Sequence, residues 1–203
     1  MNNTEKFYKK SLRPSEYFSK YIDYLSSVLK NIKPEEIDKL VKEFENARSK
    51  GKTLFIAGNG GSAATATTMA NDIGFDIIKK TKTKKPFKLF ALTDNNSVMT
   101  AISNDVGYDQ VFLNQLKIHF KKGDRLIVIS ASGNSKNLIN AVKWVKKNSG
   151  RVVGLLGFDG GKLKSLCDLS VVIKTNKGEY GPVEDAHLIL NHTLAHWFQN
   201  KLK

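Results

Sequence analysis

Five short apolar runs alternate with helix-patterned segments along this chain, and that alternation leaves few folds open. The runs are Lys52–Ala57, Phe87–Leu92, Arg125–Ser130, Arg151–Leu156 and Leu169–Lys174. Strands that read as continuously apolar are covered on both faces, and strands separated by helices pair in parallel. The segments between them carry helical spacing, as in Leu138, Ile139, Ala141, Val142, Trp144 and Val145. The chain therefore reads as an α/β protein, with three α/β/α layers around a five-stranded parallel sheet. At 203 residues, one domain is the simplest division, and it leaves enough chain to bury a core.

Two of the runs end in unusual turns. Leu54-Phe55-Ile56-Ala57 leads into Gly58-Asn59-Gly60-Gly61-Ser62, and Leu126-Ile127-Val128-Ile129 leads into Ser130-Ala131-Ser132-Gly133-Asn134-Ser135. A helix pattern follows each. Glycine lets the backbone approach a ligand closely, and a helix N-terminus offers free N–H groups and a positive dipole end. In open α/β sheets, ligands sit beyond the carboxyl ends of the strands. Both turns fall on that edge, as does Asp94 in Leu92-Thr93-Asp94. Together they predict a phosphorylated ligand held from two sides.

The flanks divide into a tail, 1–14, and a single domain, 15–203, that opens with a helical segment, 15–50. That segment reads as two helices, 15–31 and 34–50, with Pro34 suited to a helix start. Phe18, Tyr21, Ile22, Leu25, Val28 and Leu29 line one face of the first. Because this helix precedes the α/β core, its stripe is expected to pack on another surface, a partner subunit. Val183–Leu202 reads as a long C-terminal helix.

The net charge of +14 comes from lysines spread over nearly every polar stretch. The densest run, Lys79, Lys80, Lys82, Lys84, Lys85 and Lys88, falls in a connection and reads as a solvated loop. Without aromatic or groove-reading elements beside it, no nucleic-acid partner is expected. The apolar content of 40% and mean hydropathy of −0.33 fit a soluble protein. No run approaches the ~20 apolar residues of a membrane helix. The N-terminus lacks a signal-peptide core, so the cytoplasm is the expected location. The single Cys167 excludes an internal disulfide and a cysteine-based zinc cluster, and reads as a small core residue.

Acid–base chemistry has two sources. Thr68 and Asp72 stand one helical turn apart after the first glycine turn. The C-terminal helix carries Glu184, Asp185, His187, Asn191, His192 and His196, of which Glu184 and His192 (i, i+8) share a helical angle. A carboxylate and an imidazole beside a carbonyl can move protons between carbons, as an aldose–ketose isomerase requires. His196, next to Trp197, reads as a surface or satisfied core residue.

Taken in order, the two turns, Leu92-Thr93-Asp94, Ser103-Asn104-Asp105, Gly157-Phe158-Asp159-Gly160-Gly161 and the His187/His192 helix resemble the sugar isomerase (SIS) domain family, and within it the phosphoheptose isomerases. The resemblance runs from about residue 15 to the C-terminus. It implies the SIS fold, a homotetramer with N-terminal helices used in oligomerisation, and active sites at subunit interfaces. It implies isomerisation of sedoheptulose 7-phosphate to D-glycero-D-manno-heptose 7-phosphate through an ene-diol, for surface polysaccharide. By the same resemblance Asp72 and His192 are catalytic. Asn59, Gly60, Gly61, Ser62, Asp94, Ser130, Ser132, Ser135 and Glu184 bind substrate. Zinc is the one cofactor implied. Asp72, Glu184 and His192 would be its ligands, with Thr68 where the family has histidine and Asp72 where it has glutamate. Two other readings are carried forward: a non-catalytic phosphosugar-binding or regulatory protein, and an isomerase of a different sugar phosphate.

Overall fold

The computed structural model describes residues 1–203. Five parallel strands, β1 (Thr53–Gly58), β2 (Lys88–Ala91), β3 (Arg125–Ser130), β4 (Arg151–Gly157) and β5 (Leu169–Ile173), form one sheet in the order β2-β1-β3-β4-β5. Every strand matches its expected run within two residues. The strands alternate their side chains between two separate cores, one on each face of the sheet. Leu54, Ile56, Ile127, Ile129, Val153 and Leu155 enter one core, and Phe55, Ala57, Leu126, Val128, Val152 and Leu156 enter the other. All six residues of β3 are buried, as the centre of a sheet covered on both faces requires.

Ten helices cover the faces: α1 (Asn3–Lys9), α2 (Pro14–Lys30), α3 (Pro34–Ser49), α4 (Gly61–Met69), α5 (Asp76–Thr81), α6 (Asn96–Asp105), α7 (Val111–His119), α8 (Lys136–Lys147), α9 (Gly161–Leu166) and α10 (Tyr180–Lys201). Helix α10 buries Val183, Ala186, Leu190, Leu194, Ala195 and Phe198. Phe198 packs between Phe44 of α3 and Phe87, with ring centroids 6.5 and 4.7 Å away. Pro34 stands at the start of α3, as expected.

The first fourteen residues are not a plain tail. Asn2 caps α1 by accepting from Glu5 N, and the Glu5 side chain accepts from Asn2 N in return. Phe7 of α1 meets Tyr24 of α2 edge-on. The buried Glu179 carboxylate accepts from Asn3 N, Tyr24 Oη and Asn176 N, tying α1 and α2 to the loop before α10.

Helix α2 packs on its own chain. Leu25 and Val28 are buried, and Tyr21 Oη donates to Asp185 Oδ2 of α10 at 2.5 Å. Of the expected stripe, Phe18 and Ile22 are left exposed. The lysine-rich run is solvated, with Lys79, Lys80, Lys82, Lys84, Lys85 and Lys88 all exposed, but it is not all loop: Lys79 and Lys80 belong to α5 and Lys88 to β2. Cys167 is half-buried and packs beside Gly154 of β4. Burial pushes its thiol up to about 12, so it stays a protonated packing group. No helix is long and apolar enough to cross a membrane.

Candidate active site

The two turns stand side by side because β1 and β3 are neighbours, with Gly58 opposite Ile129. A pair of amides locks them together. Asn59 Nδ2 donates to Asn137 Oδ1 at 3.1 Å, and Asn137 Nδ2 donates back to Asn59 Oδ1 at 2.9 Å. Tyr108 Oη adds a third bond to Asn59 Oδ1, at 2.7 Å. Asn137 and Tyr108 were not singled out in the sequence, because neither belongs to a spacing that marks chemistry.

Within the second turn, Gly133 N donates to Ser130 Oγ at 3.0 Å, and Asn134 N to Ser132 Oγ at 3.3 Å. Ser130 is buried and so shapes the turn. Ser135 is the N-cap of the twelve-residue α8, yet its side chain makes no capping bond. Leu138 N donates to Asn137 Oδ1 at 2.9 Å, so the Lys136 and Asn137 N–H groups are the ones left for an external acceptor, and the helix dipole favours an anion there. In the first turn, Gly60 caps α4 without a side-chain bond, and Ser62 is buried with its N–H donating to Asn59 O. Asp94 stands on the same edge, where Oδ1 accepts from the hydroxyls of Thr67 and Thr93.

Asp72 lies in a π-helical segment, Ala70–Phe75, between α4 and α5. Such widened turns recur at functional sites because they re-aim side chains. Asp72 Oδ2 accepts from Asn191 Nδ2 at 2.7 Å and lies 3.6 Å from His192 Nε2. Oδ1 accepts from Asn71 Nδ2 at 3.1 Å. The Asp72 side chain is 19% exposed and that of His192 is 53% exposed. The carboxylate is sheltered and the imidazole faces outward. Asn191 is fully buried, and its Oδ1 has no partner.

Glu184 does not join them. Its carboxylate stands over Gly61, where a Cβ would come within 2.3 Å of Glu184 Oε2. A shared helical angle is not a shared height: eight residues separate Glu184 from His192 by about 12 Å along the axis. Burial and the adjacent Asp185 raise the Glu184 carboxyl above its usual range. No three histidine, cysteine or carboxylate side chains stand close enough to hold a metal, so the set Asp72, Glu184 and His192 is not assembled within this chain. Thr68, where the resemblance places a histidine ligand, gives its hydroxyl to Ala64 O at 2.9 Å. The zinc implied by the resemblance does not fit these residues.

His187 faces the other way. It is fully buried where α10 crosses β4, with neither ring nitrogen hydrogen-bonded. Burial holds its pKa down at about 4. The folded protein therefore binds fewer protons here than the unfolded chain, whose histidine titrates near 6.5. Its contribution is complete above pH ~6.5 and is lost as the pH falls toward 4, by about 3 kcal/mol. Urea melts at pH 7 and pH 4.5 test this: His187→Leu is expected to flatten the difference, and equal slopes in both proteins would contradict it. His196 lies on the surface.

A phosphate-type cradle at the carboxyl edge of a parallel sheet, in a chain that also pairs a sheltered carboxylate with an imidazole, defines a class of sugar-phosphate protein. The SIS domain model matches residues 16–157, and the chain belongs to the SIS domain family. Its curated relatives within that family include phosphoheptose isomerases. One from Aliarcobacter butzleri is 37% identical over 169 residues, covering 83% of this chain and 86% of that protein. Another, from Chlorobium phaeobacteroides, is 41% identical over 145 residues, covering 71% of this chain and 63% of that protein. Among solved structures, the phosphoheptose isomerase of Neisseria gonorrhoeae superposes with a TM-score of 0.79 at 28% identity, over 92% of this chain and 96% of that one.

Proposed function

We propose that this protein is an aldose–ketose isomerase converting sedoheptulose 7-phosphate to D-glycero-D-manno-heptose 7-phosphate. The observation that carries the chemistry is the Asp72–His192 pair, a sheltered carboxylate 3.6 Å from an exposed imidazole. The isomerase reading is favoured over the non-catalytic one by relatives of 37% and 41% identity that are named phosphoheptose isomerases.

In this reading the α8 N-terminus, with Ser132 and Ser135, takes the phosphate, and the Asn59–Ser62 turn and Asp94 take sugar hydroxyls. Asp72 removes a proton from C1 of the ketose while protonated His192 donates to O2, giving the ene-diol. His192 then takes the O1 proton and Asp72 returns its proton to C2, so both groups end as they began. Asn191 holds the Asp72 carboxylate in place through Oδ2. A carboxylate one methylene shorter than glutamate reaches less far, and the π-helical segment is the local device that can advance it. The finer parts of the reading are a cytoplasmic homotetramer that supplies heptose for surface polysaccharide. The exposed Phe18 and Ile22 on α2 support self-association.

Incubation with sedoheptulose 7-phosphate, followed by NMR, tests the proposal. Aldose signals that grow with time and enzyme concentration are expected. Saturable binding without any new sugar signal would establish a binding protein instead, and turnover of another sugar phosphate alone would reassign the substrate.

A further inference from the structure

The opposite edge of the sheet carries a second concentration of charge that isomerisation does not use. A cavity of about 380 Å³ is lined there by Lys39, Lys42, Glu43, Asn46, Lys50, Arg125, Arg151, Asp168 and Leu169. Arg125 and Arg151 are the first residues of β3 and β4 and stand directly opposite each other in the register. Like charges so placed repel. Glu43 of α3 bridges them, accepting from Arg125 Nε at 2.5 Å and Arg151 Nε at 3.2 Å. Arg125 and Glu43 are buried, with side chains 8% and 10% exposed, while the Arg151 side chain remains 53% exposed.

Both carboxylates of this cavity are already committed. Glu43 serves the two arginines, and Asp168 accepts from Lys146 Nζ at 2.9 Å and from Val152 N at 2.8 Å. Lys39, Lys42 and Lys50 line the same helix face and take part in none of these pairs. Lys39 and Lys42 are three residues apart on α3, so their two charges are neighbours on its surface. The cavity therefore holds a positive surplus, and a multiply charged anion would relieve the repulsion.

We propose that this amino-edge cavity is a second anion site, taking a compact polyanion of the di- or triphosphate type. Its ligand is not the sugar phosphate of the active site. A strand of six residues separates the two edges by roughly 20 Å. No aromatic side chain lines the cavity, so nothing there stacks on a base. The phosphates themselves carry the recognition, through Arg151 and the three lysines. Inorganic triphosphate and the triphosphate tail of a nucleotide share this chemistry.

Calorimetric titration with inorganic triphosphate, ATP and a single-stranded RNA oligonucleotide at fixed ionic strength tests the site. Triphosphate is expected to bind the wild-type protein and to bind Lys39→Glu/Lys42→Glu at least about tenfold more weakly. Both replaced lysines are exposed, so the fold and the isomerase rate are expected to be unchanged. ATP binding equal to triphosphate supports recognition of the phosphates alone. Triphosphate binding that is absent, or equal in both proteins, overturns the proposal, and the second result assigns the anion to the serine turns. Binding of ATP alone or RNA alone overturns it as well.

Discussion

Asp72→Asn is expected to lower kcat for phosphoheptose isomerisation by roughly 10²–10⁴-fold, the range over which a positioned general base contributes. The substitution keeps shape and keeps an oxygen to accept from Asn191 Nδ2, the 2.7 Å bond that positions the native side chain. What it removes is the ability to take a proton. The turns proposed to hold phosphate are untouched, so KM is expected to change little, the signature of an interaction made in the transition state. His192→Ala is expected to lose rate likewise, because no other imidazole stands beside Asp72. Measured together with thermal stability, the pair separates catalysis from folding. A well-folded Asp72→Asn protein turning over at the wild-type rate would remove Asp72 from the mechanism.

The second large effect belongs to Gly133. It sits at φ +64°, and a Cβ there would come within 2.0 Å of Gly160 O, 2.5 Å of Gly160 C and 2.9 Å of Gly161 N. All three are backbone atoms, so no side chain can swing aside. Gly133→Ala must push the serine turn away from the Phe158–Gly161 loop, and overpacking of this kind costs about 1–3 kcal/mol. The left-handed backbone adds about 1–2 kcal/mol more. Because the moved segment carries Ser132 and Ser135, KM for the sugar phosphate is expected to rise about tenfold or more, as each 1.4 kcal/mol of lost binding gives. Gly51→Ala is the control. Its φ is +61°, but nothing lies within 4 Å of the added carbon, so only the backbone cost applies. Denaturant melts that find the two variants equally destabilised would show that contact with Gly160 is not what matters.

The sheet was legible because a buried parallel strand leaves a mark few other structures leave. Leu126-Ile127-Val128-Ile129 has no polar face, and every residue of β3 is indeed buried. The turns were legible because glycine and serine occur where a strand becomes a helix. Other features left no such mark. The π-helical segment at Ala70–Phe75 adds residues to a turn without any residue type that announces it. Asn137 and Tyr108 act through hydrogen bonds to Asn59, 78 and 49 positions away, and the bond from Asn191 to Asp72 spans 119 positions. Glu184 was misplaced for a different reason. A helical projection records angle and discards height, so a residue two turns from His192 looked like its neighbour. The charged edge was overlooked because Lys39, Lys42 and Lys50 resemble ordinary surface lysines until β3 and β4 bring Arg125 and Arg151 beneath them.

The strand order β2-β1-β3-β4-β5 also sets a timetable. β1 is the first strand made, yet it lies between two strands that do not yet exist. Its backbone has no partner on one side until Lys88–Ala91 has been synthesised, and none on the other until Arg125–Ser130 follows. At about 5–20 residues per second on the ribosome, the interval from Gly58 to Arg125 lasts several seconds. During that time Leu54, Phe55 and Ile56 have lost neither their apolar character nor their strand preference. The nascent chain thus carries an incompletely paired, sticky segment for about a third of its 203-residue synthesis, and a chaperone that recognises short apolar stretches has its longest opportunity at residues 53–58.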